Sequence, residues 1–328
     1  MTSTPIWSLD ELREAAGRVH AVMPATPQYP WPKLAQRTGC QVWVKHENHT
    51  PTGAFKIRGG MIYMEELVRR GAPRGVISAT RGNHGQSISL AAARARIPAT
   101  VFVPRGNSPD QNSAMRGFGA TVVEFGDDFD QARVEAARVA ADRGLHFVPS
   151  FHEDLVRGVA SYALELFDAV GDLDAVYVGI GMGSGICGLI TARDVLGLRT
   201  EIVGVVAENA PAMALSIAAG RPVTTPTART FADGIATRVP HELAYAIIAR
   251  GAAGIVQVSE SEIAEAMRGY FDDTHQVAEG AGAAPLAALM KDRTRRAGQR
   301  VGLILSGGNI ERARYRQILD GGTPVIAG

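Results

Sequence analysis

The chain has 328 residues, 46% of them hydrophobic and 20% charged, with a formal net charge of +1. That is enough for a large core in two domains or lobes, and near-neutrality leaves no field to recruit nucleic acid or an anionic membrane. Two cysteines, Cys40 and Cys187, are too few for a disulfide framework, so each is expected as a buried free thiol.

The opening stretch "MTSTPIWSLDELREAAGRVH" lacks the basic-then-apolar pattern of a secretion signal. Ser8 followed by Glu11 reads as a capping box that opens a helix. No apolar run reaches membrane-spanning length, and a cytoplasmic location is expected. Beyond this segment, β-rich runs alternate with helical patterns. Strands are expected over 41–47, 75–80, 99–104, 120–126, 175–181, 201–208, 254–260 and 300–308. Between them, stretches such as "DDFDQARVEAARVAADRG" repeat apolar residues at three- and four-residue spacing. The alternation predicts an α/β fold with mostly parallel sheets. In such sheets ligands gather beyond the carboxyl ends of the strands. Four stretches fall there: "TPTGAFK", "TRGNHGQS", "GIGMGSGICG" and "SGGN".

His46, Glu47 and His49 lie first in the chain. They follow a β run and precede Thr50-Pro51, so the imidazoles are expected to diverge, and no third ligand is close; a zinc site is not expected. Lys56 follows the Pro-Thr-Gly turn at 51–53, in the first turn of a helix expected to begin near Ala54. The helix dipole there disfavours a protonated amine, and a neutral lysine is what a Schiff base with an aldehyde cofactor requires. "ATRGNHGQS" ends a strand and opens a helix near Asn83, offering N–H donors to a carboxylate and an amide side chain to a ring substituent.

"GIGMGSGICG", at 179–188, follows an apolar strand and opens a helix, a natural anion site. Its 183–188 portion fits G-x-G-x-x-G, and Glu208 stands 20 residues beyond Gly188, as in a dinucleotide-binding unit. An NAD-dependent oxidoreductase therefore stays open at this point, as does plain close packing of helix on strand. Ser306 ends the run "VGLIL", where its hydroxyl could donate to a heteroaromatic nitrogen or cap the next helix.

Taken together, these stretches resemble the fold-type II pyridoxal-phosphate enzymes, the group of threonine and serine dehydratases and serine racemase. "PTGAFKIRGG" looks like that family's signature around its cofactor lysine, "GNHGQS" like its Gly-Asn-His-Gly segment, "GMGSG" like its phosphate loop, and "SGGN" like its late Ser-Gly-Gly-Asn. The order agrees over roughly residues 20 to 320. The resemblance implies a tryptophan-synthase-β-like α/β fold of two open, twisted, mostly parallel sheets. One sheet would lie in a large domain, residues 1–52 and 150–328, and one in a small mobile domain, residues 53–149.

The implied cofactor is pyridoxal 5'-phosphate. Lys56 would hold its aldehyde, Phe55 would pack on its ring, and Asn83 would bond its ring hydroxyl. Backbone amides of Gly181, Met182, Gly183, Ser184 and Gly185 would cradle the phosphate, with Ser306 facing the ring nitrogen. Thr80, Arg81, Gly82, Asn83 and His84 would take the carboxylate of an amino-acid substrate. The implied reaction eliminates water from a β-hydroxy-α-amino acid (threonine, serine, 3-phenylserine or 3-hydroxyaspartate), with Lys56 taking the Cα proton; the resulting enamine would tautomerise to an imine that water hydrolyses to a 2-oxo acid and ammonia. A homodimer is expected. A racemase or a β-replacement synthase of the same fold is the nearby alternative.

The chain departs from the family pattern in places. Ala54 replaces the usual Ser, and Met182 and Ser184 interrupt the usual glycine run. Arg81 stands where serine racemase has a serine acting as second acid/base, and an arginine holds its proton too tightly to shuttle it. That argues against racemisation; Arg81 would instead pair with an anionic group such as a substrate carboxylate, or form a solvent-facing salt bridge. Glu208 stands where several relatives build a divalent-cation site. The following "NAPAMALS" lacks the later Asp that would complete it, and no metal is expected.

Overall fold

The computed structural model describes residues 6–326. Ten strands make two sheets: β1 (Gln28–Pro30), β2 (Gln41–His46), β3 (Val76–Ala79), β4 (Ala99–Val103), β5 (Thr121–Glu124), β6 (His146–Val148), β7 (Ala175–Gly179), β8 (Glu201–Ala207), β9 (Gly254–Val258) and β10 (Arg300–Leu305). The six-stranded sheet runs β1-β2-β10-β7-β8-β9 and the four-stranded sheet β5-β4-β3-β6. Every pairing is parallel except β1 with β2. The smaller sheet draws only on residues 76–148, while the larger combines segments from both sides of it in sequence. This is the α/β architecture the alternation predicts.

β1 and β6 are absent from the predicted strands. Each is three residues long, too short to show any alternation. Every predicted strand ends one to three residues early, among them β7 at Gly179 rather than 181 and β10, by the most, at Leu305 rather than 308. At β7 and β10 the residues that leave the sheet begin the glycine loop and the Ser-Gly-Gly turn.

The central strands carry near-continuous apolar runs because helices cover both faces. Tyr177 on β7 and Leu303 on β10 are fully enclosed in one core, with Val176 and Ile304 on the opposite face. The helix Glu153–Val170 lies against the helices Lys56–Arg69 and Ser184–Val195. A Cβ added to Gly158 would sit 2.3 Å from the Arg58 carbonyl oxygen, so backbone contact seats the helix that begins at Lys56. The Ser8–Glu11 capping box is present, with Glu11 N–H donating to Ser8 Oγ at 3.3 Å and Ser8 N–H to Glu11 Oε2 at 2.7 Å. Both cysteines are free and buried. Among the described residues no helix is long and apolar enough to cross a membrane.

Candidate active site

The four motif stretches converge where β2, β3, β7 and β10 end. The helix begins at Lys56, two residues later than predicted, because the backbone before it is already engaged. Ala54 N–H donates to Thr50 Oγ1 at 2.9 Å, Ala54 bridges Gly307, and Phe55 N–H donates to the Ser306 carbonyl at 3.0 Å. These bonds tie the lysine turn to the end of β10 and place Lys56 as the first helical residue. Its Nζ donates to Ser184 Oγ at 3.1 Å and lies 5.1 Å from the centre of the Phe55 ring. Burial brings the amine down from its ordinary 10.5 to about 8. The lowered value predicted from the helix start is thus present, with desolvation as its cause. In the protein stripped of cofactor, reductive methylation of Lys56 should be half-maximal near pH 8, since the amine is protonated and unreactive below that. A midpoint near 10.5 by peptide mapping would contradict the buried placement.

Ser184, the partner of Lys56, is the first residue of the helix Ser184–Val195. Gly183 precedes it with φ of 101°, a left-handed turn that favours glycine. The helix thus starts abruptly, and its first-turn amides lack intrahelical acceptors. Phe55 stands edge-on to Tyr162, with ring centres 6.1 Å apart, and faces Gly185 of the same helix. Ser306 is buried at the end of β10.

Asn83 is the first residue of the helix Asn83–Arg94, as predicted. Its Nδ2 donates to Glu279 Oε1 and Oε2 at 2.8 and 3.0 Å, and its Oδ1 accepts from Asn309 Nδ2 at 2.8 Å. Asn309 Nδ2 also donates to the Thr52 carbonyl at 2.7 Å. One chain of hydrogen bonds therefore joins the Pro-Thr-Gly turn, the Gly-Asn-His-Gly segment and the Ser-Gly-Gly-Asn turn. Glu279 is a site residue that sequence reasoning missed. Burial, aided by the nearby charge of Asp233, raises its carboxyl to about 7. The available signal was an acid standing immediately before the small-residue helix Gly280–Arg296.

The rest of the 80–84 turn is built around these contacts. Thr80 Oγ1 accepts from Gly82 N–H at 3.0 Å. His84 is buried and hydrogen-bonded to the Pro149 carbonyl, while its Nε2 has no partner. Burial, helped by the charge of Lys56, lowers the His84 imidazole to about 3, so it is neutral. Arg81 pairs with Asp233 at 3.3 Å, and both side chains are half exposed. Of the two roles expected for Arg81, this is the salt bridge. Arg314 approaches the other oxygen of Asp233 at 3.4 Å.

The stretch preceding Lys56 turns out to be structural. A 3₁₀ turn at Glu47–His49 brings the His46 and His49 rings within 5.2 Å, where divergence was expected. His46 is nevertheless committed: Trp31 Nε1 donates to its Nε2 at 3.0 Å, and burial lowers it to about 4. Glu47 points away, into a bidentate pair with Arg58 at 2.7 and 2.9 Å. Arg58 also meets Glu165 at 2.5 and 2.9 Å, and Lys45 reaches Glu165 at 2.5 Å. This fully buried network lies beneath the Lys56 helix. Arg58 was visible within its motif, but Glu165 lies 107 residues away.

Glu208 follows β8, and its carboxylate holds the Lys291 ammonium at 3.4 Å. Lys291 also donates to the Gln257 carbonyl at 2.9 Å and to Glu262 at 3.2 Å. The Glu208 carboxylate is thus engaged in a part-exposed ion pair with Lys291. Among the described residues no cluster of three or more His, Cys, Asp or Glu could hold a metal ion. A cavity of about 540 Å³ opens beside Glu208, lined also by Asn209, Thr225, Arg229 and Glu260, and includes none of the residues around Lys56. Adding EDTA or millimolar magnesium should leave the melting temperature unchanged; a fall in EDTA would reveal a bound metal.

Comparisons with known proteins agree with this geometry. The family model described as "Pyridoxal-phosphate dependent enzyme" matches residues 22–307. The chain is 33% identical over 316 residues to an L-threonine ammonia-lyase of Thermotoga maritima, covering 96% of this chain and 79% of that one. It is 34% identical over 316 residues to an L-threo-3-hydroxyaspartate ammonia-lyase of a Pseudomonas species, covering 96% and 99%. Among solved structures, maize serine racemase superposes with a TM-score of 0.89 at 25% identity, covering 96% of this chain and 97% of that one. The dinucleotide reading of 183–188 with Glu208 is thereby overturned. With the lysine turn, the glycine loop and the Ser-Gly-Gly-Asn turn meeting at one point, the chain belongs to the family of pyridoxal-phosphate dependent enzymes.

Proposed function

We propose that the protein is an ammonia-lyase that dehydrates a β-hydroxy-α-amino acid to a 2-oxo acid and ammonia. The observation that carries this reading is the buried, easily deprotonated Lys56 amine, with a serine hydroxyl rather than a carboxylate ending β10. The residues present suit pyridoxal phosphate. Lys56 can take the aldehyde, the amides of the loop 181–183 and of the helix start at 184–185 can meet a phosphate, and the Nε2 of His84 is a buried polar atom with no partner. When bound, that cofactor supplies an electron sink for the substrate α-carbon.

In this reading Lys56 removes the Cα proton; an amine near pKa 8 is available as a base around neutrality. The 80–84 turn takes the substrate carboxylate on its N–H groups. Ser306 would face the ring nitrogen with a neutral hydroxyl, which cannot hold that nitrogen protonated as a carboxylate would. Arg81 disfavours racemisation, because its proton is held too tightly to serve the opposite face of Cα, and Asp233 already engages it. Residues 53–149 form the small lobe and 1–52 with 150–328 the large one. The enzyme is taken as a homodimer of the cytoplasm, and a single-chain mass by light scattering would contradict the dimer.

The test is release of 2-oxo acid from serine, threonine, 3-hydroxyaspartate and 3-phenylserine by protein reconstituted with pyridoxal phosphate. At least one should turn over with ammonia in equal amount. Racemisation without ammonia would overturn the lyase reading.

A further inference from the structure

We propose that Glu279 is a positioning residue of the cofactor site, orienting the Asn83 amide so that one N–H faces the ring hydroxyl of the cofactor. The inference rests on the pyridoxal-phosphate reading of Asn83. Two carboxylate oxygens lie on one amide nitrogen, at 2.8 and 3.0 Å. They subtend a far smaller angle at Nδ2 than its two N–H bonds do, so a single N–H serves both and the second is left free. The opposite end of the amide is fixed as well. Asn83 Oδ1 accepts from Asn309 Nδ2, and that nitrogen is set in turn by the Thr52 carbonyl. Reversing the Asn83 amide would put its oxygen against the Glu279 carboxylate and its nitrogen against the Asn309 nitrogen. Donor direction is therefore consistent from Asn309 through Asn83 to Glu279, and only one orientation of Asn83 satisfies it.

The placement of Glu279 is itself tightly specified. Its N–H donates to the Gly307 carbonyl at 3.1 Å. A Cβ on Gly307 would lie 2.8 Å from Glu279 Oε1 and 3.0 Å from the Ala54 Cβ. The glycine after Ser306 thus makes room for this carboxylate beside the lysine turn. Among the described residues no Lys, Arg or His forms an ion pair with Glu279, and Asp233 nearby adds a like charge. A carboxylate kept in such surroundings works against stability. Its return is directional: once ionised, the carboxylate only accepts, unlike an amide or hydroxyl, and with Asn309 donating to the other end of the amide Asn83 has one orientation.

The experiment compares Glu279→Gln, Asn83→Ala and the double variant, reading cofactor dissociation constant, visible absorption spectrum and apoprotein melting temperature. Glu279→Gln should weaken pyridoxal-phosphate binding roughly tenfold, equivalent to the loss of about one directed hydrogen bond, and shift the absorption band. Apoprotein melting should be unchanged or raised. In the Asn83→Ala background Glu279→Gln should have no further effect on affinity, because Glu279 acts through Asn83. Additive losses in the double variant, or unchanged affinity and spectrum in Glu279→Gln, would overturn the proposal while leaving the cofactor reading intact. A purely structural role would lower apoprotein melting with affinity preserved. A wild-type protein that forms no coloured adduct on Lys56 would overturn both.

Discussion

Replacing Lys56 by alanine is expected to cut 2-oxo acid release by about 10³-fold or more, since one change removes both the covalent attachment and the base. Borohydride reduction of wild-type holoenzyme should fix the cofactor on the Lys56 peptide, and the variant should show no such label. The fold should survive. The side chain makes a single hydrogen bond, to Ser184 Oγ, and the helix start is secured by the backbone contacts of Ala54 and Phe55. An unchanged melting temperature would therefore accompany the loss. Small primary amines added to Lys56→Ala should restore part of the rate by supplying the missing base. Full turnover by the variant without added amine would show that another group takes the Cα proton.

The second large effect concerns stability. Arg58→Met should destabilise the protein by about 3–5 kcal/mol, because it leaves Glu47 and Glu165 enclosed without their bidentate guanidinium, with Lys45 and His20 near Glu165 alone and Thr26 as a neutral donor. In urea this should lower the unfolding midpoint by roughly 1 M. Arg138→Met serves as control: its partners Glu135 and Asp142 lie on the surface, and the midpoint should not move. The network also fixes a pH window. Burial works against the Glu165 carboxylate, but Arg58 and Lys45 outweigh it and hold its pKa at about 2 against an ordinary 4.5. A depressed carboxylate contributes stability that is complete above 4.5 and disappears as pH falls towards 2. Wild-type protein should therefore lose stability across that interval, and Arg58→Met should show a shallower loss. Equal acid profiles for the two proteins would mean the network is not what holds Glu165 ionised.

Which parts of this were legible beforehand follows from the range of the interactions involved. Strand and helix alternation, the Ser8–Glu11 box, the strands flanking each motif and the helix at Asn83 rest on neighbours within a few residues. The three-residue strands β1 and β6 had no pattern to read, because they exist only where longer strands offer them an edge. The helix at Lys56 was misplaced by two residues for a similar reason. Bonds to Thr50 Oγ1 and, from far along the chain, Ser306 capture the backbone at 54 and 55.

The sequence by itself determined the residue types of the site: a lysine after a tight turn, an amide opening a helix, a glycine loop after a strand and a serine ending another. Tertiary structure alone decided which of the neighbouring groups act together. Glu47, which looked like a member of a histidine cluster, is turned inward by Arg58, and His46 is occupied by Trp31. Glu208 is paired with Lys291, 83 residues later in the chain. Glu279 reaches Asn83 across 196 residues. A charge is free to take any of several partners until burial removes water and geometry leaves it one. That choice is made by packing, and no local pattern encodes it.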